Sequence, residues 1–185
     1  LLHGPPGVGK TMLAKRAATI FPRLSQQEAL EVTKIHGVAK RQTMTRLIRT
    51  PPVRTPHHSV TPAGLLGGGN PARPGEVSLA HRGLLFLDEL PEFQRRCLEG
   101  LREPLEEGAV HIVRANYALS FPADFQLMAA MNPCPCGYLG HPERTCVDSP
   151  SAVARYQQKI SGPMLDRMDL VVGITPTSVD LLGPK

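Results

Sequence analysis

The stretch Gly4-Pro5-Pro6-Gly7-Val8-Gly9-Lys10-Thr11 has the spacing G-x-x-x-x-G-K-[ST], whose residue types suit one task, holding the oxygens of a di- or triphosphate. Gly4, Gly7 and Gly9 let the backbone turn tightly and aim successive N–H groups at those oxygens, at the positive end of a helix that begins near Lys10. Lys10 adds a point charge between the β- and γ-phosphates, and the Thr11 hydroxyl suits the Mg²⁺ that bridges them. Further on, Gly83 to Leu90 reads GLLFLDEL, four apolar residues followed by two carboxylates. Asp88 is placed to hold the metal, usually through water, and Glu89 to polarise an attacking water as general base. Asn132 ends another apolar run, where its amide could hydrogen-bond that water or the γ-phosphate; as a lone Asn before Pro it would be an ordinary turn residue.

These groups need elements to carry them. Leu1 to His3 reads as the end of a strand, Thr11 to Ile20 as the helix behind the loop, stopped by Pro22. Ser25-Gln26-Gln27-Glu28 is a capping box, so a second helix is expected from Gln26 to about Ile35, ended by Gly37. Pro51-Pro52 force an extended path into VRTPHH (Val53 to His58), a short strand or strand exit, and Thr61 to Gly75 is rich enough in Gly and Pro to predict an irregular insertion. The apolar run before Asp88 predicts a strand buried on both faces of a parallel sheet. Pro91 to Glu107 has helical spacing with a bend at Pro104 and a cap at Gly108. His111–Arg114 and Tyr117–Phe121 pattern as a hairpin, Phe125–Met131 as a buried strand, Ser151–Ile160 as a helix and Leu170–Ile174 as a last strand.

A chain of 185 residues with 41% hydrophobic content supports one domain with a full core. It starts inside what reads as a central strand and ends at Gly183-Pro184-Lys185 without a cap, so we expect a core truncated at both ends. There is no signal-peptide pattern and no apolar stretch long enough for a bilayer, which makes a cytoplasmic protein without membrane contact the default expectation. The net charge of +5 is unevenly placed: all 16 acidic residues lie outside Val32 to Gly75, while Lys34, Lys40, Arg41, Arg46, Arg49, Arg54 and Arg73 lie inside it. Such a block suits a phosphate backbone, and equally a solvated basic face or an acidic neighbouring subunit. Aromatics are 4% of residues and none interleave with these charges, so base stacking is not supported.

The loop GPPGVGKTMLAKR, the run TPHHSVTPAGLLGGGNPARPGEVSLAHRGLLFLDELPEF, the stretch LREPLEEGAVHIVRA, the strand AAMNPCPCGY and the segment RYQQKISGPMLDRMDL together resemble the magnesium chelatase-like AAA+ ATPases of the ComM/YifB type, over essentially the whole chain. The resemblance implies an α/β fold, a five-stranded parallel sheet flanked by helices. A helix-two insertion at about Pro62 to Ser78 and a presensor hairpin at about Glu107 to Phe121 decorate it; the helical lid is absent. It implies ATP and Mg²⁺ as ligands, with Gly4 to Thr11 as the phosphate loop and Asp88 and Glu89 as the acidic pair. By the same likeness Asn132 is the first sensor and Arg167 an arginine finger, whose local alternative is a salt bridge to Asp166 or Asp169. The implied assembly is a homo-oligomeric ring, a hexamer by expectation, with ATP between subunits and DNA as the substrate of the motor. A module that docks a protein partner, as in magnesium chelatase subunits, is the alternative.

The cysteines depart from that pattern, which resembles C-x-C-G followed by a second C-x-C, a spacing suited to a tetrahedral zinc site. Cys134, Cys136 and Cys146 are present, Asp148 stands at the fourth place, and His141 is a possible substitute. Reduced thiols in a loop are the alternative reading, and Cys97, on an apolar helical stripe, reads as core.

Overall fold

The computed structural model describes residues 1–40, 44–114 and 117–176. Arg41 of the basic stretch and the terminal Gly183-Pro184-Lys185 lie outside them. Five short strands, β1 (Leu2–His3), β2 (Val53–Arg54), β5 (Leu84–Leu87), β8 (Gln126–Met131) and β9 (Val172–Gly173), form one sheet in the order β2-β5-β8-β1-β9. Every pairing in it is parallel, with Leu84 opposite Gln126, Leu87 opposite Ala129 and Leu2 opposite Ala130. All strands therefore point the same way, and the loops that leave β1, β2, β5 and β8 gather at one end of the sheet.

The sheet is covered on both faces because β5 is apolar at every position. Alternation sends Phe86 to one side, where it packs with Ala130 and with Ala14 of α1 (Lys10–Ala17). Leu85 and Leu87 go to the other, into the main core with Ala129 and Met131. Burying such side chains contributes roughly 1.5–3 kcal/mol each. The same core takes Leu65 of α3 (Pro62–Leu66), Val77 of α4 (Glu76–Leu79), Cys97 and Leu98 of α5 (Arg95–Gly100), Tyr156 of α7 (Pro150–Gln157) and Met164 of α8 (Gly162–Leu165). Cys97 is fully buried, as its position on an apolar stripe predicts.

Helix α2 (Gln26–Lys40) starts on the expected capping box: the Ser25 amide donates to Glu28 Oε2 (2.9 Å) and the Glu28 amide to Ser25 Oγ (3.3 Å). It runs past Gly37, against expectation. A mid-helix glycine costs only about 1 kcal/mol, and burial of Ile35 together with the His36 Nε2 contact to Leu79 O (3.1 Å) offsets it. The expected helix over Pro91 to Glu107 is instead three pieces, a 3-10 turn at Leu90–Glu92, α5, and α6 (Arg102–Glu107). Pro104 has no N–H for the Gly100 carbonyl, so the break falls at Leu101, earlier than expected. Gly108 caps α6 at φ 66.

The glycine-rich insertion is more regular than its composition suggests. Between α3 and α4 a two-residue antiparallel ladder joins β3 (Gly67–Gly68) to β4 (Arg73–Pro74). The hairpin pairs β6 (Ala109–Arg114) with β7 (Tyr117–Pro122), slightly longer than its apolar pattern predicts. No helix among the described residues is long and apolar enough to cross a membrane.

Candidate active site

Gly4, Pro5, Pro6, Gly7, Val8 and Gly9, the expected phosphate loop, connect the end of β1 to the start of α1. The Gly4 amide donates to Met131 O (3.3 Å), tying the loop to β8. A Cβ on Gly4 would lie 2.2 Å from Ile174 O, so the crossing of this loop over the end of β9 admits only glycine. Lys10 is 9% exposed, and its ammonium donates to Gly4 O (2.7 Å), Pro5 O (2.8 Å) and Asn132 Oδ1 (3.0 Å). Those acceptors are neutral. Burial lowers the Lys10 pKa, and Asp88 partly restores it.

Thr11 Oγ1 donates to Asp88 Oδ2 at 2.6 Å, joining the first turn of α1 to the exit of β5. The other oxygen of Asp88 accepts the Glu89 amide at 3.0 Å. Glu89 itself adopts φ 54 and ψ 49, a left-handed conformation that costs a non-glycine residue about 1–2 kcal/mol. Strain of this kind at a strand exit is a frequent mark of function. The Glu89 side chain is 60% exposed, and His58 Nδ1 lies 3.3 Å from its Oε2. Beside them a hollow of about 410 Å³ is lined by Thr11, Lys15, His57, His58, Asp88 and Glu89. Lys10, Thr11, Asp88, Glu89 and Asn132 thus meet at one end of the sheet.

A model of the family described as magnesium chelatase, subunit ChlI, matches residues 1–181. The chain belongs to this family. It is 49% identical over 174 residues to an uncharacterized protein YifB of Salmonella typhimurium, a match covering 94% of this chain and 34% of that protein. A competence protein ComM of Haemophilus influenzae is 47% identical over 175 residues, with the same two coverages, 94% and 34%. An uncharacterized protein of Mycobacterium tuberculosis is 51% identical over 174 residues, 93% of this chain and 34% of the relative. The chain spans about a third of the length of these curated relatives.

Within this magnesium chelatase-family fold, Arg167 stands apart from the loop cluster. It follows α8 and borders a hollow of about 750 Å³ that also touches Leu1 and Gln126, residues at the opposite strand ends. Its guanidinium pairs with Glu106 of α6 and donates to Pro163 O (2.6 Å). The local alternative to the finger, a salt bridge to Asp166 or Asp169, is not what the structure holds: the partner comes from a different helix. Among the basic residues, Lys34, Lys40, Arg46, Arg49 and Arg73 are exposed, whereas Arg54 makes a two-pronged contact with Glu76, 2.6 Å and 2.8 Å.

Cys134, Cys136 and Cys146 converge with Asp148 in the loop after Asn132. His141 is not part of that cluster, and its Nδ1 accepts the amides of Glu143 (3.1 Å) and Arg144 (3.2 Å). The sequence reading missed His58, which carries no spacing signal. The doubled TPHH imidazoles beside a strand exit were the one available hint.

Proposed function

We propose that the chain is the ATP-hydrolysing module of a ring-forming AAA+ motor that works on DNA in the cytoplasm. The meeting of Lys10 and Thr11 with Asp88, Glu89 and Asn132, from three separate strand exits, carries the reading. Lys10 binds the β- and γ-phosphates. Its ammonium is buried on neutral carbonyls, so an anion entering the loop finds a cation already positioned. The Thr11 hydroxyl and the Asp88 carboxylate, 2.6 Å apart, are hard oxygen donors of the kind Mg²⁺ takes. When bound, that ion neutralises charge on the transferring phosphoryl group.

Glu89 takes the proton of the attacking water, and Asn132, anchored to Lys10, hydrogen-bonds the water or the γ-phosphate. Arg167, at the far strand ends, serves a neighbouring subunit's nucleotide in a homo-oligomer, here a hexamer. The exposed cations of α2 and the segment after it meet the DNA backbone. The engagement of Arg54 by Glu76 thins that basic surface and favours the second reading, a module that docks a protein partner.

Nucleotide affinity and turnover of full-length Lys10→Ala and Glu89→Gln test the core of this proposal. Lys10→Ala is expected to abolish tight binding, while Glu89→Gln keeps binding and loses roughly 10²–10⁴-fold in turnover. Loss of binding in both would remove Glu89 from the role of base.

A further inference from the structure

The loop from Pro133 to Ser149 leaves the end of β8 directly after Asn132 and brings three sulfur atoms into a triangle. Sγ of Cys134 lies 3.4 Å from that of Cys136 and 3.6 Å from that of Cys146, and the third side is 3.5 Å. These separations are too long for a disulfide, whose S–S bond is about 2.0 Å. They are close to the edge of about 3.7 Å that three thiolates make around one zinc at about 2.3 Å. Asp148 Oδ2 completes the set at 3.7 Å from Cys146 Sγ, and all four donor atoms lie within 4.8 Å of one another.

The surroundings point the same way. The Cys136 amide donates to Asp148 Oδ2 at 2.8 Å, which orients the carboxylate toward the sulfurs. An amide that holds a carboxylate in this way acts as the outer shell that orients metal ligands. Three soft sulfurs with one carboxylate suit zinc, and four protein ligands leave no open position, as in structural sites.

The loop also touches the candidate active site. Gly137 sits at φ 85 so close to the phosphate loop that a Cβ there would lie 2.7 Å from Pro6 Cδ and 3.8 Å from Asn132 Cγ. We propose that Cys134, Cys136, Cys146 and Asp148 hold one structural zinc ion, which fixes the wall on which the phosphate loop and Asn132 rest. The ligand set stands on its own geometry, while its effect on nucleotide rests on the function proposed above.

Elemental analysis of untagged full-length protein, purified without chelator, is expected to find about one zinc per chain, since structural sites bind with on the order of 10–16 kcal/mol. Cobalt exchanged into the site should show the intense visible bands and thiolate charge transfer of a tetrahedral centre. Paired Cys134→Ser and Cys146→Ser substitutions should remove the metal, and Cys97→Ala should keep it. Folded wild-type protein with substoichiometric zinc, or zinc retained by the paired serine variant, overturns the site. Chelation of the wild type, reversed by added zinc, is expected to weaken binding of a fluorescent ATP analogue about tenfold and reversibly, the scale of a lost outer-shell support. Unchanged affinity in demonstrably metal-free protein overturns the supporting role and leaves the ligand set standing. Stoichiometric zinc in protein that binds no nucleotide at all supports the ligand set and instead sinks the nucleotide reading.

Discussion

His58 Nδ1 stands 3.3 Å from Glu89 Oε2, bridging the exits of β2 and β5 across the mouth of the candidate active site. The imidazole is held in turn by the His57 ring, 4.0 Å away between centroids, and by the edge of Phe93 at 6.4 Å. An exposed carboxylate on a strained backbone has many rotamers available, and this contact selects among them. His58→Ala is therefore expected to lower turnover roughly tenfold, short of the 10²–10⁴-fold loss from removing a base, with nucleotide affinity unchanged. His58→Asn, which keeps a donor, should recover part of it. A rise in turnover would show that His58 restrains Glu89 instead of aiming it.

Arg167 is expected to act in trans. Removal of an arginine finger costs about 10³–10⁵ in turnover while affinity survives. Arg167→Ala subunits mixed with Lys10→Ala subunits should regain activity, because an intact phosphate loop then meets an intact finger. The pairing with Glu106 adds a second measurement: Glu106→Gln frees the guanidinium and should leave affinity unaltered. Mixed rings without any recovery would place Arg167 in a structural role.

The exposed cations should reveal themselves through salt. If Lys34, Lys40, Arg46 and Arg49 contact DNA phosphates, log K falls with log salt by about 0.9 per neutralised phosphate, and their replacement by Ala flattens the slope. Arg54→Ala is the contrasting variant, expected to reduce thermal stability through the loss of Glu76 with little effect on the slope. An unaltered slope in the fourfold variant would assign this face to a protein partner.

His81 links stability to pH. It is 4% exposed, its Nδ1 accepts the Asp124 amide (3.1 Å) and its Nε2 faces Glu31 Oε2 (3.3 Å), so the neutral ring with the proton on Nε2 fits the site. Burial lowers its pKa below the usual histidine value, outweighing the opposing pull of Glu31. The unfolded chain then binds more protons, and the contribution, complete above about pH 6.5, is lost as pH falls below it. The melting temperature of the full-length protein should drop from pH 7 to 5, and less steeply in His81→Gln. Equal slopes would move the acid sensitivity to other groups.

The loop from Gly4 to Thr11, the acidic strand exit and the start of α2 were legible because each is local: a motif spacing, an apolar run, a capping box. What escaped depended on distant elements meeting. The His58–Glu89 contact joins residues 31 positions apart in chains of unremarkable composition. Arg54 looked free because the acid-free block ends one residue before its partner, Glu76. Asp166 and Asp169 are near Arg167 in sequence, yet side chains one or two positions apart do not face each other in a helical turn, and Glu106 of α6 does. The helix over Pro91 to Glu107 failed twice: Phe93 and Gln94 turn extended, at ψ 146 and 135, ahead of α5, and Pro104 interrupts the stripe near Leu101.

Strand β5 also works as a ruler. At its start a Cβ on Gly83 would stand 2.0 Å from Pro52 O, so the strand is pinned there against the segment that leads into β2. At its far end Asp88 must reach Thr11. Between these fixed points the side chains alternate between two cores, and an insertion or deletion of one residue would exchange Phe86 with its neighbours and turn the carboxylate away from the hydroxyl. Length variation in this segment is thus closed to the protein.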